Sequence, residues 1–548
     1  MLAAIRSAAV LGVDAFEVTV EVHVANGLPQ VTVVGLAAGA VKESRERVTA
    51  ALANAGFPIP PRRITINLAP ADVRKDGTAY DLPIAIGLLV AVGVVPEASV
   101  ASLAVVGELA LDGTVRAIRG ALPIARWAAR AGHTLVLPPA NLPETSCITD
   151  APLAVPRTVG ELVAALSAGR LRPTRGRRPP AAAPCADDFA DVIGQDAAKR
   201  ALEIAAAGGH HVALVGPPGA GKTMLARRLP SILPTLAESE ALEVLAVRSV
   251  AGLATADPTW PARPFRAPHH TISAPGLVGG GSVPRPGEVS LAHRGVLFLD
   301  ELLEFPRHVL DALRQPMEDG HVLVTRAAAA VTLPARFTLV GAMNPCPCGH
   351  AGEPDRSCRC TGADVDRYTS RLSGPLADRI DMHIRVGAVS PRAIGAAPAY
   401  GEPSGAIRAR VEAARERQRI RYAALPGPRP ECNADASGRW VDRHGLVDPA
   451  ARDLLVAAGE RLALSARAFY RVLRIARTIA DLADSPPVTA MHVAEALRYR
   501  PPGAAAPPRD ARAGGAAGSG GSARAGHGGD RSPPRALPSP HVDPAAAG

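Results

Sequence analysis

Aromatic side chains are scarce in this 548-residue chain, where Phe, Trp and Tyr together make up 3%. Hydrophobic residues reach 47%, so Ala, Val and Leu must fill the cores. No apolar run attains the roughly 18 residues that a membrane helix needs. The longest, around residues 84–96, has the length of a buried helix. The N-terminus shows no basic region ahead of a long apolar segment and no clear cleavage site, so a cytoplasmic protein with no membrane role is expected. In that compartment the seven cysteines are not expected to form disulfides. A chain this long exceeds one hydrophobic core and should hold two to four domains.

The net charge of +10 has a local origin. Residues 169–180 hold five arginines and no acid, and residues 501–548 hold five arginines against three aspartates. These two stretches, both read as flexible, carry seven of the ten charges, so the remaining chain is nearly neutral and the overall charge alone does not argue for a DNA-binding face.

Along the chain, residues 1–168 alternate strand-like runs (EVTVEVHV, VTVVG, RITINLAP, TLVLPP) with amphipathic helical ones such as residues 41–57. A Pro/Arg/Ala-rich linker is predicted at 169–187, a second α/β segment at 188–390 and a helical segment at 391–503. Residues 504–548 have almost nothing to bury and are predicted to be a disordered tail. The fold class is therefore α/β with a helical C-terminal domain.

The segment HVALVGPPGAGKTMLARRL places a buried strand before, and a helix after, Gly216, Pro217, Pro218, Gly219, Ala220, Gly221, Lys222 and Thr223. Glycines at this spacing turn backbone N–H groups inward around phosphate oxygens at a helix N-terminus. Lys222 is expected to reach the β- and γ-phosphates of ATP, and Thr223 to offer a hydroxyl to Mg²⁺. In GVLFLDEL an apolar strand delivers Asp300 and Glu301 to its end. Asp300 is the expected Mg²⁺ partner and Glu301 the group that polarises water. A third strand, FTLVGAMN, ends in Asn344, the candidate sensor 1. Arg379 in SGPLADRID is the candidate finger for a neighbouring subunit's ATP, and Arg467 in LSARAFYRVLR the candidate sensor 2. For either arginine a solvated helix position is the alternative. A finger acting between subunits implies a homo-oligomeric ring.

The blocks DVIGQ, GPPGAGKT, FRAPHHT, PGEVSLAHRGVLFLDEL, GAMNPCPCG and SGPLADRID resemble the YifB/ComM family of magnesium-chelatase-like AAA+ ATPases, with the resemblance running to about Arg500. It implies the helix-2-insert clade, with residues 265–280 in the insert, a presensor 1 hairpin around 320–331, and a ring, expected to be a hexamer. It also implies a Lon-like fold for residues 1–168. There KDGTAYDLPIAIGLL resembles the turn of the nucleophile and GELALDGTVRAIRGALP the stretch that carries the lysine. Ungapped alignment puts Ala79 and Leu122 at the two dyad positions; neither can act as nucleophile or base, so no protease activity is expected. The function implied is an ATP-driven motor acting on single-stranded or branched DNA in recombination or transformation. Its rivals are a chelatase-type ATPase and a chaperone-like unfoldase. Phe265 is the one aromatic in the supposed insert, which disfavours polypeptide threading.

CPCGHAGEPDRSCRC sets Cys346, Cys348, Cys358 and Cys360 in a C-x-C-x₉-C-x-C pattern. Four thiolates suit structural Zn²⁺, with His350 as an alternative ligand, while reduced thiols or a redox pair are the other readings. The arginine-rich residues 407–422 read as a solvated face braced by pairs such as Arg408–Glu412, or as a backbone-tracking helix. His269 and His270 are candidates either for a translocating strand or for subunit packing; His210 and His211 read as structural.

Overall fold

Alternating apolar and polar residues at the N-terminus build a long antiparallel hairpin, Leu2–Leu11 with Asp14–Ala25, whose inward positions are fully buried. In the computed structural model, which describes residues 1–35, 39–71, 75, 77–181, 186–254, 259–281, 284–326, 329–353, 357–389, 392, 395, 401–425 and 429–500, this hairpin centres an eight-stranded mixed sheet. From one edge the order is Thr174–Arg175, Pro152–Ala154, Thr134–Val136, Leu103–Val105, Leu2–Leu11, Asp14–Ala25, Arg63–Ala69 and Gln30–Val34. The longest apolar run becomes the helix Asp81–Ala91, buried along its whole length against the hairpin. The basic stretch after residue 168 is not wholly a free arm. Thr174–Arg175 adds an antiparallel edge strand, because Thr174 and Arg175 can pair with Leu153 and Pro152 while their side chains stay exposed.

The second sheet is parallel throughout, in the order Phe265–Arg266, Gly295–Leu299, Phe337–Met343, Val212–Val215, Met382–Arg385. Strands covered on both faces read as unbroken apolar runs, and GVLFL and VALV are buried at every position. Alternate side chains feed two cores: Val212, Leu214, Val296 and Phe298 on one face, Ala213, Leu297, Leu299 and Leu339 on the other. Because Phe265–Arg266 pairs with Val296 and Leu297, the FRAPHHT segment starts inside this sheet and not in an insert, which corrects the expectation for its first residues. The expected hairpin is present as His321–Arg326 paired with Ala329–Pro334.

Helices Ser404–Ala423, Pro449–Arg461, Ala466–Leu482 and Ala490–Leu497 pack onto the first of these cores through Val411, Leu455, Leu473 and Val493. Most arginines of Ser404–Ala423 bond to other segments, while Arg419 stays exposed and pairs with Glu416 of the same helix. Arg408 donates to Ser231 O at 2.9 Å, Arg410 pairs with Glu203 and Glu402, Arg415 donates to Ala206 O, and Arg421 pairs with Asp481. The anticipated Arg408–Glu412 pair does not form: Glu412 accepts instead from Thr235 N at 3.2 Å, since both side chains reach an adjoining turn sooner than each other. The two halves meet where the helix Ala121–Ala131 lies on the helix Glu238–Ala251. There Gly120 N and Leu122 N donate to Ser249 O and Oγ at 3.1 and 3.2 Å, and Ala246 is buried among N-terminal side chains. The tail predicted to be disordered lies outside the described residues.

Candidate active site

The carboxyl edge of the parallel sheet gathers the polar groups, the usual place for a ligand in such sheets. Val212–Val215 runs into the glycine-rich turn, where Gly219 and Gly221 take φ of 77° and 87°, a left-handed conformation that a Cβ would penalise. The helix Lys222–Ile232 starts at once, its first N–H groups free for an anion. Lys222 Nζ donates to Gly216 O (2.6 Å), Pro217 O (2.9 Å) and Asn344 Oδ1 (3.1 Å). Burial pulls the Lys222 ammonium below the ordinary lysine range, with Asp300 and Glu301 opposing. An ammonium held among neutral oxygens is electrostatically matched to a polyanion.

Thr223 Oγ1 donates to Asp300 Oδ2 at 2.9 Å, and Asp300 Oδ1 accepts from Glu301 N at 3.0 Å. This hydroxyl–carboxylate pair is an oxygen donor set of the kind Mg²⁺ takes, so the residues fit that ion. Glu301 sits at φ 50°, a strained value for a side-chain-bearing residue, costing on the order of 1 kcal/mol. Its carboxylate stands 3.6 Å from His270 Nδ1. Thr223, Asp300 and Glu301 line one cavity of ≈ 280 Å³ together with Arg227, His269, His270 and Phe298.

Arg379 and Arg467 occupy other ground. Both guanidiniums converge on Glu318, Arg467 at 3.5 Å, and Arg379 also donates to Pro375 O at 2.8 Å. Arg379 holds the Glu318 carboxyl below its usual range. The two arginines line a separate open cleft of ≈ 750 Å³, with Arg263, Arg294 and Arg336 among its walls. Among the described contacts neither touches Lys222, Thr223, Asp300, Glu301 or Asn344.

Sequence reasoning left three residues out of this site. His270 reaches it because Phe265–Arg266 is the strand beside Gly295–Leu299, so the residues after it arrive at the same edge. Arg227, one helical turn beyond Thr223, follows from helix periodicity. Gln195, in DVIGQ, donates to Ala220 O (3.2 Å) and Gly387 O (2.6 Å) from a left-handed backbone at φ 58°, which no local pattern announces. His210 and His211 are structural as expected, His211 Nδ1 accepting from Leu339 N at 3.0 Å.

Directly after Asn344 the four cysteines converge, all Sγ atoms within 4.8 Å of one another. Cys346 and Cys348 lie 3.4 Å apart, and Cys358 lies 3.7 and 3.6 Å from them. A disulfide needs about 2.05 Å, so these are four free thiols grouped as a metal-ligand set would be. His350 instead bonds Glu353 at 2.7 Å.

A P-loop and an acidic strand end on a five-stranded parallel sheet define a P-loop nucleoside triphosphatase of the AAA+ kind. The profile "Magnesium chelatase, subunit ChlI" matches residues 188–394, "Subunit ChlI of Mg-chelatase" residues 20–141, and "Magnesium chelatase, subunit ChlI C-terminal" residues 401–500. The chain is 43% identical over 500 residues to the protein YifB of Salmonella typhimurium, covering 91% of this chain and 97% of the other. It is 42% identical over 505 residues to the competence protein ComM of Haemophilus influenzae, with the same shares covered. A shorter similarity, 29% over 177 residues, covers 29% of this chain and 50% of the magnesium-chelatase 38 kDa subunit of Rhodobacter capsulatus. The protein belongs to the YifB/ComM family of magnesium-chelatase-like AAA+ proteins, and that family implies ATPase activity.

Proposed function

We propose that this protein is an ATP-hydrolysing ring motor that remodels DNA, by branch migration or a related strand exchange in recombination or transformation. The carrying observation is the joint placement of Lys222, Thr223, Asp300, Glu301 and Asn344 at one sheet edge. In this reading the loop 216–221 and Lys222 cradle the phosphates of ATP, and Glu301 orients the attacking water, with Asn344 steering it from the neighbouring strand. Thr223 and Asp300 would hold Mg²⁺, which supplies charge neutralisation at the β- and γ-phosphates. Arg379 faces a separate cleft, as a finger serving a neighbouring protomer's ATP would, and this supports an oligomeric ring, while Arg467, the sensor 2 candidate from the helical lid, lines the same cleft. The DNA assignment draws on the competence protein, whose similarity spans nearly its full length. Residues 1–168 are assigned as a Lon-like domain without a dyad, 188–390 as the ATPase core and 391–503 as its helical partner. The metal suited to the four thiols is zinc, whose tetrahedral preference four cysteines satisfy.

The chelatase similarity supports a second reading, an ATPase that remodels a protein partner. Steady-state ATPase assays with and without single-stranded and forked DNA separate the two. Severalfold stimulation is expected, and Lys222→Ala should lower the rate by roughly 1,000-fold, the loss typical of a key charge-stabilising donor. Hydrolysis that no DNA binds to or stimulates at low salt defeats the DNA reading and directs the search to protein partners.

A further inference from the structure

The cysteine loop is seated between the two halves of the catalytic edge. Its entry is Asn344, whose side chain accepts from Lys222, and Gly216 N donates to Met343 O at 3.2 Å, so the last turn of that strand already touches the phosphate loop. Three residues past Cys346 comes a second contact: Gly349, at φ 85°, lies so close to Pro218 that a Cβ there would stand 2.6 Å from the ring's Cδ. Cys346 fixes that turn, since its carbonyl accepts from Gly349 N at 3.0 Å and its buried sulfur from Ala351 N at 3.3 Å. At the exit, Cys360 leads into the helix Gly362–Thr369. Just past it Arg371 donates to Leu303 O at 3.2 Å and pairs with Glu304 at 2.9 Å, in the turn that follows Glu301.

The geometry points to a bound Zn²⁺ at Cys346, Cys348, Cys358 and Cys360 acting as a brace that holds Gly349 against Pro218 and thereby sets the shape of the phosphate loop. The inference rests on the zinc reading of these thiols. With Zn–S near 2.3 Å, a tetrahedron has sulfur–sulfur edges of about 3.8 Å, close to the 3.4, 3.7 and 3.6 Å found here. Of the four cysteines only Cys346 is fully buried, and among the described residues of 345–360 no other side chain joins a hydrophobic core. Cys358, Cys360 and Pro218 are positioning residues in this account.

The test uses the full chain. Metal analysis of the purified protein should give about one zinc per chain; a protein that carries no zinc and takes none up overturns the metal reading. The variant Cys358→Ser/Cys360→Ser should lose the zinc, weaken binding of a fluorescent ADP by roughly 10-fold and lower the ATPase rate, as sub-ångström shifts of a binding cradle do. Zinc lost with unchanged ADP affinity overturns the brace while leaving the metal site standing. Pro218→Ala removes the contact without touching a ligand, so it covers the case in which the double variant fails to fold. It should keep its zinc and still bind ADP more weakly, and wild-type affinity in that variant also overturns the brace.

Discussion

The two α/β halves of this chain differ in what they gather beside their sheets. In the parallel sheet, Lys222, Thr223, Asp300 and Asn344 form a connected polar set, and Glu301 accepts a strained backbone to join it. In the N-terminal half, the two positions where a Lon-like dyad is expected lie off the strands: Ala79 sits in a turn that packs against an apolar cluster, and Leu122 sits in the helix Ala121–Ala131, buried within that same cluster. Leu122 also gives its N–H to Ser249 of the ATPase half. Here apolar packing around Leu122 joins the halves. Chemistry resides in the side chains at the edge, whatever sheet carries them.

The contrast can be broken at Leu122. Replacement by Ala removes a fully buried side chain at the junction and should cost on the order of 3 kcal/mol, read as a lower denaturant midpoint with ATP binding retained. On the other side, Glu301→Gln should cut ATP turnover by roughly 100-fold while ATP affinity stays near wild type. Equal losses of affinity and turnover would remove Glu301 from the hydrolytic step. A pH experiment sharpens the comparison, since burial pushes His383, in the strand beside Val212–Val215, down to about 4. An unfolded histidine titrates near 6.5, so between these values the unfolded chain binds more protons. Stability should therefore fall as pH drops from about 6.5 towards 4, by up to about 1.4 kcal/mol per unit for this one group. His383→Gln should flatten that slope in a thermal melt series. The smallest effect is expected from Ser249→Ala, about 1 kcal/mol for one hydrogen bond across the junction. A change there that also altered ATP turnover would show that the N-terminal half communicates with the site.

Much of the catalytic edge was readable because its motifs are local. A strand, a glycine-rich turn and a helix are contiguous at 212–232, and an apolar strand points Asp300 and Glu301 the same way wherever it lies. The four cysteines were legible as a group, since fifteen residues hold them all. His270 was harder to place: its role as a neighbour of Glu301 depends on Phe265–Arg266 being the strand beside Gly295–Leu299, a pairing set by sheet order. The arginine helix shows both outcomes. Arg419 pairs with Glu416 within the helix as its charges suggest, whereas Arg408, Arg410 and Arg415 bond to carbonyls and carboxylates far along the chain.

By itself, then, the sequence determined the nucleotide loop, the acidic strand end and the thiol cluster, because each depends on residue identity within one short segment. Only the tertiary structure decided that Arg379 and Arg467 share Glu318 in a cleft apart from the phosphate loop, and that His270 faces Glu301. The packing of Gly349 onto Pro218 was likewise beyond the motifs. These are encounters between segments that tens to hundreds of positions separate, and their partners are chosen by sheet order and core packing, which no local pattern of residues encodes.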